Sequence, residues 1–455
     1  MDKHLYLNGP QLKAELRRCL NCKTQPCMKA CPVNCNARDF IQAALEEHWD
    51  EAVAHIVINN PMGQTCGLIC PDKFCMKACT RPQIDIPINI PRVQATILNL
   101  HRKHDETPRA IESNGHHVAI LGAGPAGMAA TAKLVSAGFH LTIFEARHEI
   151  GGALNMIPQA RLPHEIIERD WSFIFDERFV TLRLNTRITR PEALLASGTP
   201  PFDAIIVATG EPNCMALHIP GEELSVSYMD YLYHPERYQT DGYVAVIGGG
   251  NVAADCALTA QRQGARSVEM FIRRRIADMR VSKPEYLELL NHEINLNAMM
   301  SPEKIERRAH KLALAVHRNF FDGNAWTPLP GSTIELPYFD LIIRAIGSRA
   351  DTNSTNDPRI VYAGDCKTGG STIVEAIASG RLAAEQVIDF LHPHVKERSM
   401  TWSHAWNGFK CGGGSLPLRS YFPHVETWRF ASPHEENTLL PPRSPLSFRH
   451  PRRFV

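Results

Sequence analysis

Cysteine placement is the feature of this sequence that most restricts what the chain can fold into. Nine of the 13 cysteines lie within the first 79 residues, and the other four are scattered over the remainder. The N-terminus, Met1-Asp2-Lys3-His4, leads into no hydrophobic stretch typical of a signal peptide, so we expect a cytoplasmic chain. A dense group of thiols in such a chain indicates metal binding in preference to disulfide bonds. The dense group consists of Cys19, Cys22, Cys27, Cys31, Cys35, Cys66, Cys70, Cys75 and Cys79.

Eight of these thiols fall into two blocks with regular spacing. The blocks are Cys19-x2-Cys22-x4-Cys27-x3-Cys31-Pro32 and Cys66-x3-Cys70-Pro71-x3-Cys75-x3-Cys79. The first block approaches the ferredoxin pattern Cys-x2-Cys-x2-Cys-x3-Cys-Pro, in which the fourth cysteine serves a second cluster. Zinc is the alternative because Cys-x2-Cys also forms zinc knuckles, but only one block has that spacing, and both contain Cys-Pro. We therefore predict two [4Fe–4S] clusters.

Charge and hydropathy exclude several classes of function. The chain has 49 Lys and Arg against 48 Asp and Glu, a net charge of +1. Binding to nucleic acid or to an anionic membrane requires a basic excess, so neither is expected. No apolar run reaches the roughly 18 residues of a transmembrane helix. The 455 residues suffice for about two to four domains.

Short apolar runs, most of them ending near glycine, dominate the chain after residue 116. Runs without alternation are typical of strands buried on both faces of a parallel sheet. Helical patterns lie between them, at Ala126–Ser136 and Val252–Gln263, and another at Asp39–His48 precedes them. We predict a doubly wound α/β region over about 116–392, followed by an irregular tail over 396–455. The predicted strands are Val118–Leu121, His140–Phe144, Ala204–Val207, Tyr243–Ile247, Ser267–Ile272, Asp340–Ile343 and Ile360–Tyr362.

The first predicted strand runs into a dinucleotide-binding fingerprint, Gly-x-Gly-x-x-Gly, that opens a helix. Glycines at these positions permit a tight turn and let the backbone approach a pyrophosphate at the helix N-terminus. The next predicted strand leads to Glu145, where the hydroxyl of an adenosine ribose would be received. The fingerprint residues are Gly122, Gly124, Pro125, Ala126 and Gly127.

A second fingerprint follows the strand at Tyr243–Ile247 and has alanine in place of its third glycine. Its residues are Gly248, Gly250, Asn251 and Val252. The next predicted strand ends in Arg273, Arg274 and Arg275 instead of an acid. Guanidinium groups there suit a 2′-phosphate and favour NADPH over NADH. Two fingerprints of opposite polarity indicate two dinucleotides, FAD at the acidic one and NADPH at the basic one.

The paired fingerprints resemble the two-dinucleotide flavoprotein superfamily, which includes the disulfide reductases. Gly151-Gly152, Ala208-Thr209-Gly210 and Tyr362-Ala-Gly364-Asp365 match further motifs of that superfamily. The resemblance implies that Gly152, Gly364 and Asp365 lie near the flavin. It also implies two Rossmann-like domains: a discontinuous FAD domain at 111–235 and 345–395, and an inserted NADPH domain at 236–344. The first fingerprint is followed by no Cys-x4-Cys redox pair, so electrons must leave the flavin by another route.

The cysteine blocks narrow the resemblance to one family of electron-input flavoproteins. The blocks and fingerprints together are similar to the module shared by the glutamate synthase small subunit and the N-terminal half of dihydropyrimidine dehydrogenase, or its separate bacterial subunit. Ile157-Pro158-x2-Arg161-Leu162-Pro163 and the stretch from Ser371 to Arg381 match the flavin-domain signatures of that family. The resemblance covers about residues 12–392, adds Arg161 and Thr372 to the cofactor-binding residues, and makes 1–110 an α-helical iron–sulfur domain.

The same resemblance implies an interleaved set of cluster ligands. One cluster would be held by Cys19, Cys22, Cys27 and Cys79, and the other by Cys31, Cys70, Cys75 and a residue that is not cysteine. That residue follows a Pro-Ile-x-Ile stretch, which leads here to Gln94. Glutamine resembles the pyrimidine dehydrogenase type, whereas glutamate would resemble glutamate synthase. Cys35 and Cys66 are then predicted to be packing thiols.

The function implied by the resemblance is electron input to a larger enzyme. Hydride would pass from NADPH to FAD, and electrons would then pass singly through the clusters to a partner, so no acid–base residue is expected. The partner would be an FMN-containing catalytic subunit, which would make the chain part of a hetero-oligomer. The alternatives are a standalone NADPH–ferredoxin-type oxidoreductase, or a transhydrogenase component, that uses a ferredoxin-like acceptor. A decayed homologue is a third possibility, against which the intact glycines and eight intact thiols argue.

Overall fold

After residue 116 the chain forms two five-stranded parallel sheets, as the buried apolar runs predict, with helices between many of the strands. The structure is a computed structural model that describes residues 5–102, 111–196, 202–350 and 355–392. The predicted irregular tail, 396–455, lies outside the described residues. The described ranges belong to one unit, Met1–Ser399.

The helices are distributed in two groups, one before the first strand and one between strands. Those before the first strand are α1 (Gly9–Arg18), α2 (Pro26–Ala30), α3 (Ala37–Leu45), α4 (Trp49–Val57), α5 (Gly63–Ile69) and α6 (Ile90–His101). Those that follow are α7 (Pro125–Ser136), α8 (His164–Ile174), α9 (Ala193–Ala196), α10 (Tyr228–Tyr233), α11 (Asn251–Arg262), α12 (Lys283–Asn291), α13 (Asp365–Thr368) and α14 (Ile373–Leu391).

The strands begin after residue 116 and are numbered in chain order. The first eight are β1 (His117–Leu121), β2 (His140–Phe144), β3 (Val180–Arg183), β4 (Ala204–Val207), β5 (Asn213–Cys214), β6 (Val226–Ser227), β7 (Tyr243–Ile247) and β8 (Ser267–Ile272). The others are β9 (Asn295–Ala298), β10 (Met300–Arg308), β11 (Lys311–Phe321), β12 (Trp326–Pro328), β13 (Ile334–Phe339), β14 (Leu341–Arg344), β15 (Ser348–Arg349) and β16 (Ile360–Tyr362).

The first sheet is parallel, with strand order β16-β4-β1-β2-β3. Its central strand, β1, pairs with β2 and β4, and all residues of β4 are buried. Helices α7 and α14 pack together closely, because a Cβ at Gly380 of α14 would lie 2.0 Å from the carbonyl oxygen of Ala126 in α7. The strand β16 returns late in the chain, so the first sheet is built from two separate stretches of sequence. The predicted α/β class is confirmed.

The second sheet is also parallel, with strand order β6-β14-β7-β8-β9. The second sheet includes β6, which lies upstream of the domain boundary predicted at residue 236. The domain boundaries themselves stay predictions. A separate antiparallel sheet of β10, β11, β12 and β13 follows it, and the sequence analysis did not predict this sheet. The three residues Ile305, Leu314 and Phe339 bury its inner face against the second parallel sheet.

The N-terminal region is helical, as predicted, and its core is continuous with that of the first parallel sheet's helices. Helices α5 and α6 approach closely, since a Cβ at Gly67 would lie 2.7 Å from the backbone nitrogen of Ala95. Asp170 of α8 is fully buried and accepts hydrogen bonds from the Arg102 guanidinium at 2.8 Å and from the Thr65 N–H at 2.9 Å. These bonds fix the helical region on the first sheet.

Among the residues that the structure describes, no helix combines the length and the apolar character needed to cross a membrane.

Candidate functional site

The first fingerprint forms a tight strand–turn–helix unit with an open face. Gly122 follows β1 with φ of 106°, and a Cβ there would lie 2.4 Å from the carbonyl oxygen of Ala208. A Cβ at Gly127 would lie 2.0 Å from the carbonyl oxygen of Gly122. Gly124, the N-cap of α7, has only the Gly152 Cα, 3.8 Å away, within 4 Å of a Cβ position. Gly122 and Gly127 therefore close the turn, while Gly124 leaves room for a phosphate at the helix N-terminus.

Glu145 is held at the end of β2 by backbone N–H groups. Its two carboxylate oxygens accept hydrogen bonds from the N–H groups of Ala123 and Arg147, each at 2.8 Å. The Arg147 guanidinium lies 3.5 Å from the ring centroid of Tyr233, whose hydroxyl donates to the carbonyl oxygen of Gly152 at 2.9 Å. Burial raises the pKa of Tyr233 to about 12. Glu145 thus presents a fixed carboxylate next to the glycine turn, and Arg147 and Tyr233 are neighbours that the sequence analysis missed.

The second fingerprint repeats this construction between β7 and α11. A Cβ at Gly248, where φ is 150°, would lie 2.2 Å from the carbonyl oxygen of Ala345. Gly250 is the N-cap of α11, and a Cβ there would meet no atom within 4 Å. Asn251 and Val252 are exposed in the first turn of the helix. The N-terminus of α11 is therefore open to an anionic ligand, as the N-terminus of α7 is.

The three arginines after β8 differ in their pairing. Arg275 is neutralised by Asp278, with two hydrogen bonds at 2.8 and 2.9 Å. Arg273 is exposed, Arg274 is half-buried, and neither makes an ion pair within the described part of the chain. Arg280, which the sequence analysis did not select, is exposed beside Gly250. Arg273, Arg274 and Arg280 are the cations that remain available to a phosphate near this fingerprint.

One long cleft connects the two fingerprints with the cysteine-rich region. Its walls include Cys66 and Cys70 from the cysteine-rich region, and Asn251, Arg280 and Glu285 near the second fingerprint. Of the predicted cofactor-binding residues, the cleft is lined by Gly122, Gly124, Pro125, Ala126, Glu145, Gly152, Arg161, Asn251, Val252, Gly364, Asp365 and Thr372. Those that do not line it are Gly127, Gly248, Gly250, Arg273 and Arg274.

The start of α14 and the turn before α13 form one wall of the cleft. Gly364 has φ of 70°, and its N–H donates to the hydroxyl of Ser379 at 2.8 Å. A carboxylate oxygen of Asp365 accepts a hydrogen bond from the Ser371 hydroxyl at 2.5 Å, and burial raises the pKa of Asp365. Thr372, the N-cap of α14 in a capping box, also lines the cleft.

Arg161 has partners that the sequence did not indicate. Its guanidinium contacts Asp255 of α11 at 2.5 Å and Glu285 of α12 at 2.6 Å. The side chains of Asp255 and Glu285 are 9% and 7% exposed. Burial raises the pKa of Asp255 to about 6, against the opposing effect of Arg161. Arg161 was predicted to bind cofactor; it lines the cleft but also joins the segment before α8 to the second fingerprint's helices.

The first predicted ligand set comes together in space. The four thiols Cys19, Cys22, Cys27 and Cys79 line one small cavity, whose other walls include Ile41 and Ile90. Burial, together with the neighbouring thiols Cys19 and Cys79, raises the pKa of Cys27 to about 11. Buried thiols that disfavour one another's ionisation require a cation between them in order to become thiolates. The cavity therefore suits a positively charged metal group.

The second predicted set forms another thiol cluster. Burial raises the pKa of both Cys70 and Cys75, and each is raised further by its electrostatic interaction with Cys31. Cys35 interacts electrostatically with all three, and its Sγ lies 3.4 Å from Oε1 of Gln94. The structure thus groups the three predicted thiols, and Gln94 lies beside the adjacent Cys35. Cys75 also interacts with Cys27 of the first set, so the two groups are neighbours.

The two thiol groups do not have the geometry of a single-ion site. Across the described ranges, no three His, Cys, Asp or Glu side chains converge as the ligands of one metal ion do. The first group instead surrounds a cavity, which suits a cluster because each thiolate then binds a different iron.

Arg381 of α14 links the second thiol group to the first parallel sheet, a role the sequence analysis did not assign. Its guanidinium donates to the carbonyl oxygens of Val33 at 3.1 Å and Asn59 at 3.3 Å. Val33 lies between Cys31 and Cys35, so this arginine anchors the loop that carries both thiols. The signal that could have pointed to Arg381 is the family signature that begins at Ser371, because it ends in Gly380-Arg381.

Comparison with protein families gives two matches that divide the chain. Residues 2–106 match the model described as dihydropyrimidine dehydrogenase domain II, 4Fe-4S cluster. Residues 116–380 match the model described as pyridine nucleotide-disulphide oxidoreductase. The division agrees with the change from helices to parallel strands between α6 and β1.

Among curated proteins, similar chains are named as subunits of redox enzymes. The NAD-dependent dihydropyrimidine dehydrogenase subunit PreT of Escherichia coli O157:H7 is 28% identical over 83% of this chain and 93% of its own length. The NADP(+)-dependent formate dehydrogenase subunit beta of Moorella thermoacetica is 28% identical over 83% of this chain and 62% of its own. The NADPH-Fe(3+) oxidoreductase subunit beta of Geobacter sulfurreducens is 30% identical over 60% of this chain and 42% of its own.

Among solved structures, Mycobacterium tuberculosis FprA in complex with NADPH is similar in fold. It superposes with a TM-score of 0.52 at 18% identity, over 64% of this chain and 89% of that one. At this identity the likeness concerns the fold alone.

Proposed function

Because the chain belongs to the pyridine nucleotide-disulphide oxidoreductase family and is an NAD(P)H-dependent flavin oxidoreductase with an iron–sulfur domain, we propose that it is the electron-input subunit of a larger enzyme. In this proposal the chain takes electrons from NADPH, holds FAD and two [4Fe–4S] clusters, and delivers the electrons to a separate catalytic subunit. The observation that carries the proposal is one cleft whose lining includes residues of the second fingerprint, residues of the first fingerprint and Cys70. The electron donor NADPH, the carrier FAD and the first accepting cluster would then all be bound at one cleft.

The first fingerprint has the features needed to hold FAD. Gly124 leaves open space at the N-terminus of α7 for the pyrophosphate, and Glu145 offers a fixed carboxylate to the ribose hydroxyls. Gly152 and Asp365 line the cleft farther along, where the rest of the cofactor would lie. When bound, FAD supplies the conversion between two-electron and one-electron transfer. The residues of this chain bind and orient it, and we assign no proton-transfer residue.

The second fingerprint would hold the nicotinamide dinucleotide. Gly250 leaves the N-terminus of α11 open, and Arg273 and Arg274 offer unpaired cations to a 2′-phosphate. These arginines favour NADPH. The name of the Geobacter relative specifies NADPH and that of the Moorella relative NADP(+), whereas the name of the Escherichia coli relative specifies NAD. The nucleotide preference is therefore a specific part of the proposal, which the ratio of kcat/KM for NADPH and NADH tests directly.

The two thiol groups would hold the clusters. Cys19, Cys22, Cys27 and Cys79 surround the first cavity, and Cys31, Cys70 and Cys75 with Gln94 provide the second set. When bound, such clusters carry one electron each, at potentials set by hydrogen bonds and burial. Cys70 lines the cleft, so the second set is the one nearer the flavin site. Electrons would enter at the second set and leave through the first.

The partner is proposed from the names of the relatives, which are subunits of dehydrogenase and oxidoreductase complexes. The match of residues 2–106 to the dihydropyrimidine dehydrogenase domain, together with Gln94, favours a pyrimidine-reducing, FMN-containing partner. A ferredoxin-like acceptor is the other outcome of the test below.

Purification of the full chain from its native host under anaerobic conditions tests the proposal. We expect an FMN-containing chain to copurify, and we expect NADPH to bleach both the flavin and the cluster absorbance in stopped-flow measurements. The isolated chain should reduce an artificial dye with NADPH but should neither reduce pyrimidines nor form glutamate. Rapid reduction of ferredoxin with no copurifying chain would mean that a soluble carrier, and not a partner subunit, accepts the electrons. Flavin bleaching without cluster bleaching would refute the electron path itself.

A further inference from the structure

Cys35 is a buried thiol to which the cluster spacing gives no role. It is 5% exposed, and the sequence analysis predicted only a packing function. Its Sγ donates a hydrogen bond to Oε1 of Gln94 at 3.4 Å. Gln94, itself 6% exposed, is the predicted fourth ligand of the second cluster. The extra thiol therefore touches the one predicted iron ligand that is not a cysteine.

The Gln94 amide is held at both ends. Its Nε2 donates to the carbonyl oxygen of Gly63 at 2.6 Å, which directs the amide nitrogen to Gly63 and the amide oxygen to Cys35. An amide oxygen has two lone pairs, so one remains when Cys35 uses the other. The remaining lone pair is the one available to a metal. A carbonyl oxygen fixed in this way is pre-oriented as a ligand.

The Gly63 end of this clamp is rigid. A Cβ at Gly63 would lie 2.7 Å from both Cγ2 of Ile56 and Cδ1 of Leu98. The start of α5 therefore packs directly against α4 and α6. The Gly63 carbonyl oxygen is consequently a fixed acceptor for the amide of Gln94.

The Cys35 end is fixed by an anchored turn. Asn34 has φ of 52°, and its N–H donates to the carbonyl oxygen of Cys31 at 2.9 Å. The Asn59 amide donates to the carbonyl oxygen of Asn34 at 2.9 Å, and Arg381 donates to that of Val33 at 3.1 Å. The left-handed turn at Asn34 brings Cys35 back beside Cys31. Residues from three separate parts of the chain thus determine where the Cys35 thiol lies.

We propose that Cys35 is a positioning residue that directs Oε1 of Gln94 toward the second cluster and so sets the reduction potential of that cluster. The inference rests on the proposed function, because it requires the second cluster. A hydrogen bond donated to a ligand oxygen withdraws electron density from the iron, which favours the reduced cluster and raises its potential. Cys35 would therefore make the second cluster a better acceptor of electrons from the flavin site.

An EPR-monitored redox titration of the full chain, purified anaerobically, tests the inference. In Cys35→Ala we expect the midpoint potential of the second cluster to fall by up to ~59 mV, about tenfold in a one-electron equilibrium. The potential of the first cluster should not move. Cys35→Ser retains a hydrogen-bond donor, so the midpoint potential of its second cluster should stay close to that of the unsubstituted chain.

Cys66→Ala is the matched control, because Cys66 is equally buried, interacts with Cys70 of the same group, and has its own hydrogen bond to Asn60. We expect it to leave both potentials unchanged. Loss of the second cluster in Cys35→Ala but not in Cys35→Ser also supports a positioning role.

Two results would overturn the inference: an unshifted potential in Cys35→Ala, or the same shift in Cys66→Ala. These are distinct from failure of the proposed function, which would appear as a missing second cluster in the unsubstituted chain.

Discussion

Replacing Arg161 by glutamine should destabilise the contact between the two nucleotide-binding regions in a pH-dependent way. The guanidinium lies between two buried carboxylates, Asp255 at 2.5 Å and Glu285 at 2.6 Å. Removing one member of a buried ion pair costs about 3–5 kcal/mol, because it leaves an uncompensated charge. Arg161 itself keeps 23% of its side chain exposed, so we expect the lower end, about 3 kcal/mol near neutral pH.

The pH dependence follows from the carboxylate. Burial raises the pKa of Asp255 to about 6, above the ordinary value of 3.8. An acid whose pKa is raised on folding contributes stability that is present below the ordinary pKa and lost as the pH rises through the folded value. Without Arg161 the pKa of Asp255 rises further, so the folded state continues to lose stability up to a higher pH. Near pH 5 Asp255 is protonated and no longer adds an uncompensated charge, so the loss falls toward that of the hydrogen bonds alone, about 1–2 kcal/mol.

Differential scanning calorimetry of the holoprotein near pH 5 and near pH 8 measures this effect. A loss of about 3 kcal/mol corresponds to a fall in Tm of roughly 6–12 °C for a domain of this size range. The matched control is Arg262→Gln, since Arg262 pairs with Glu288 across the same two helices but both side chains are about one-third exposed, at 29% and 31%. Such a pair is worth about 0–1 kcal/mol. Equal Tm losses for Arg161→Gln at the two pH values, or a loss no larger than that of the control, would refute the reasoning.

Three further substitutions test separate parts of the site. Gly122→Ala should abolish flavin retention, measured as flavin absorbance per chain, because φ is 106° and the new Cβ would lie 2.4 Å from the carbonyl oxygen of Ala208; a normal flavin content would contradict this. Arg274→Glu should raise KM for NADPH by about tenfold or more and leave KM for NADH nearly unchanged, since a charge-assisted phosphate contact is lost; parallel changes for both nucleotides would argue against a 2′-phosphate site. Cys19→Ser should remove one of the two clusters and lower the iron content from about eight to about four per chain, and loss of all iron would show that the two sets are not independent.

The parallel sheets could be predicted from the sequence because their strands are buried on both faces. The predicted strands at His140–Phe144, Tyr243–Ile247 and Ser267–Ile272 coincide with β2, β7 and β8. In each case a mostly apolar run supplies the signal, and it marks a strand in the interior of a parallel sheet with no exposed side chain.

The antiparallel sheet could not be predicted in this way. Most of β10 carries half-buried or exposed side chains, such as those of Lys304 and Glu306, and only Ile305 is buried. A register shift between Pro302 and Lys304 also breaks the alternation that would indicate a strand. Half-exposed strands with a bulge give a weak periodic signal, so the sheet was missed.

At the site, the sequence indicated the residue types but not the contacts between distant segments. The glycines of both fingerprints were predicted from spacing within a strand–turn–helix unit, and Glu145 from its place at the end of the next strand. The partners of Arg161 lie 94 residues or more away, and Cys35 meets Gln94 across 59 residues. No local pattern can report such pairs, because they are set by the packing of α5 on α6 and of α11 beside the cleft. The interleaving of Cys79 with the first cysteine block likewise came from the family resemblance and not from the spacing.

The central claim is that the cysteine-rich region holds two iron–sulfur clusters that receive electrons from a flavin. Quantitative iron, acid-labile sulfide, zinc and FAD analysis of the anaerobically purified chain tests it most directly. We expect about eight iron and about eight sulfide per FAD, with no stoichiometric zinc. Zinc in place of iron would contradict this claim. So would about four iron per FAD in a preparation kept free of oxidation.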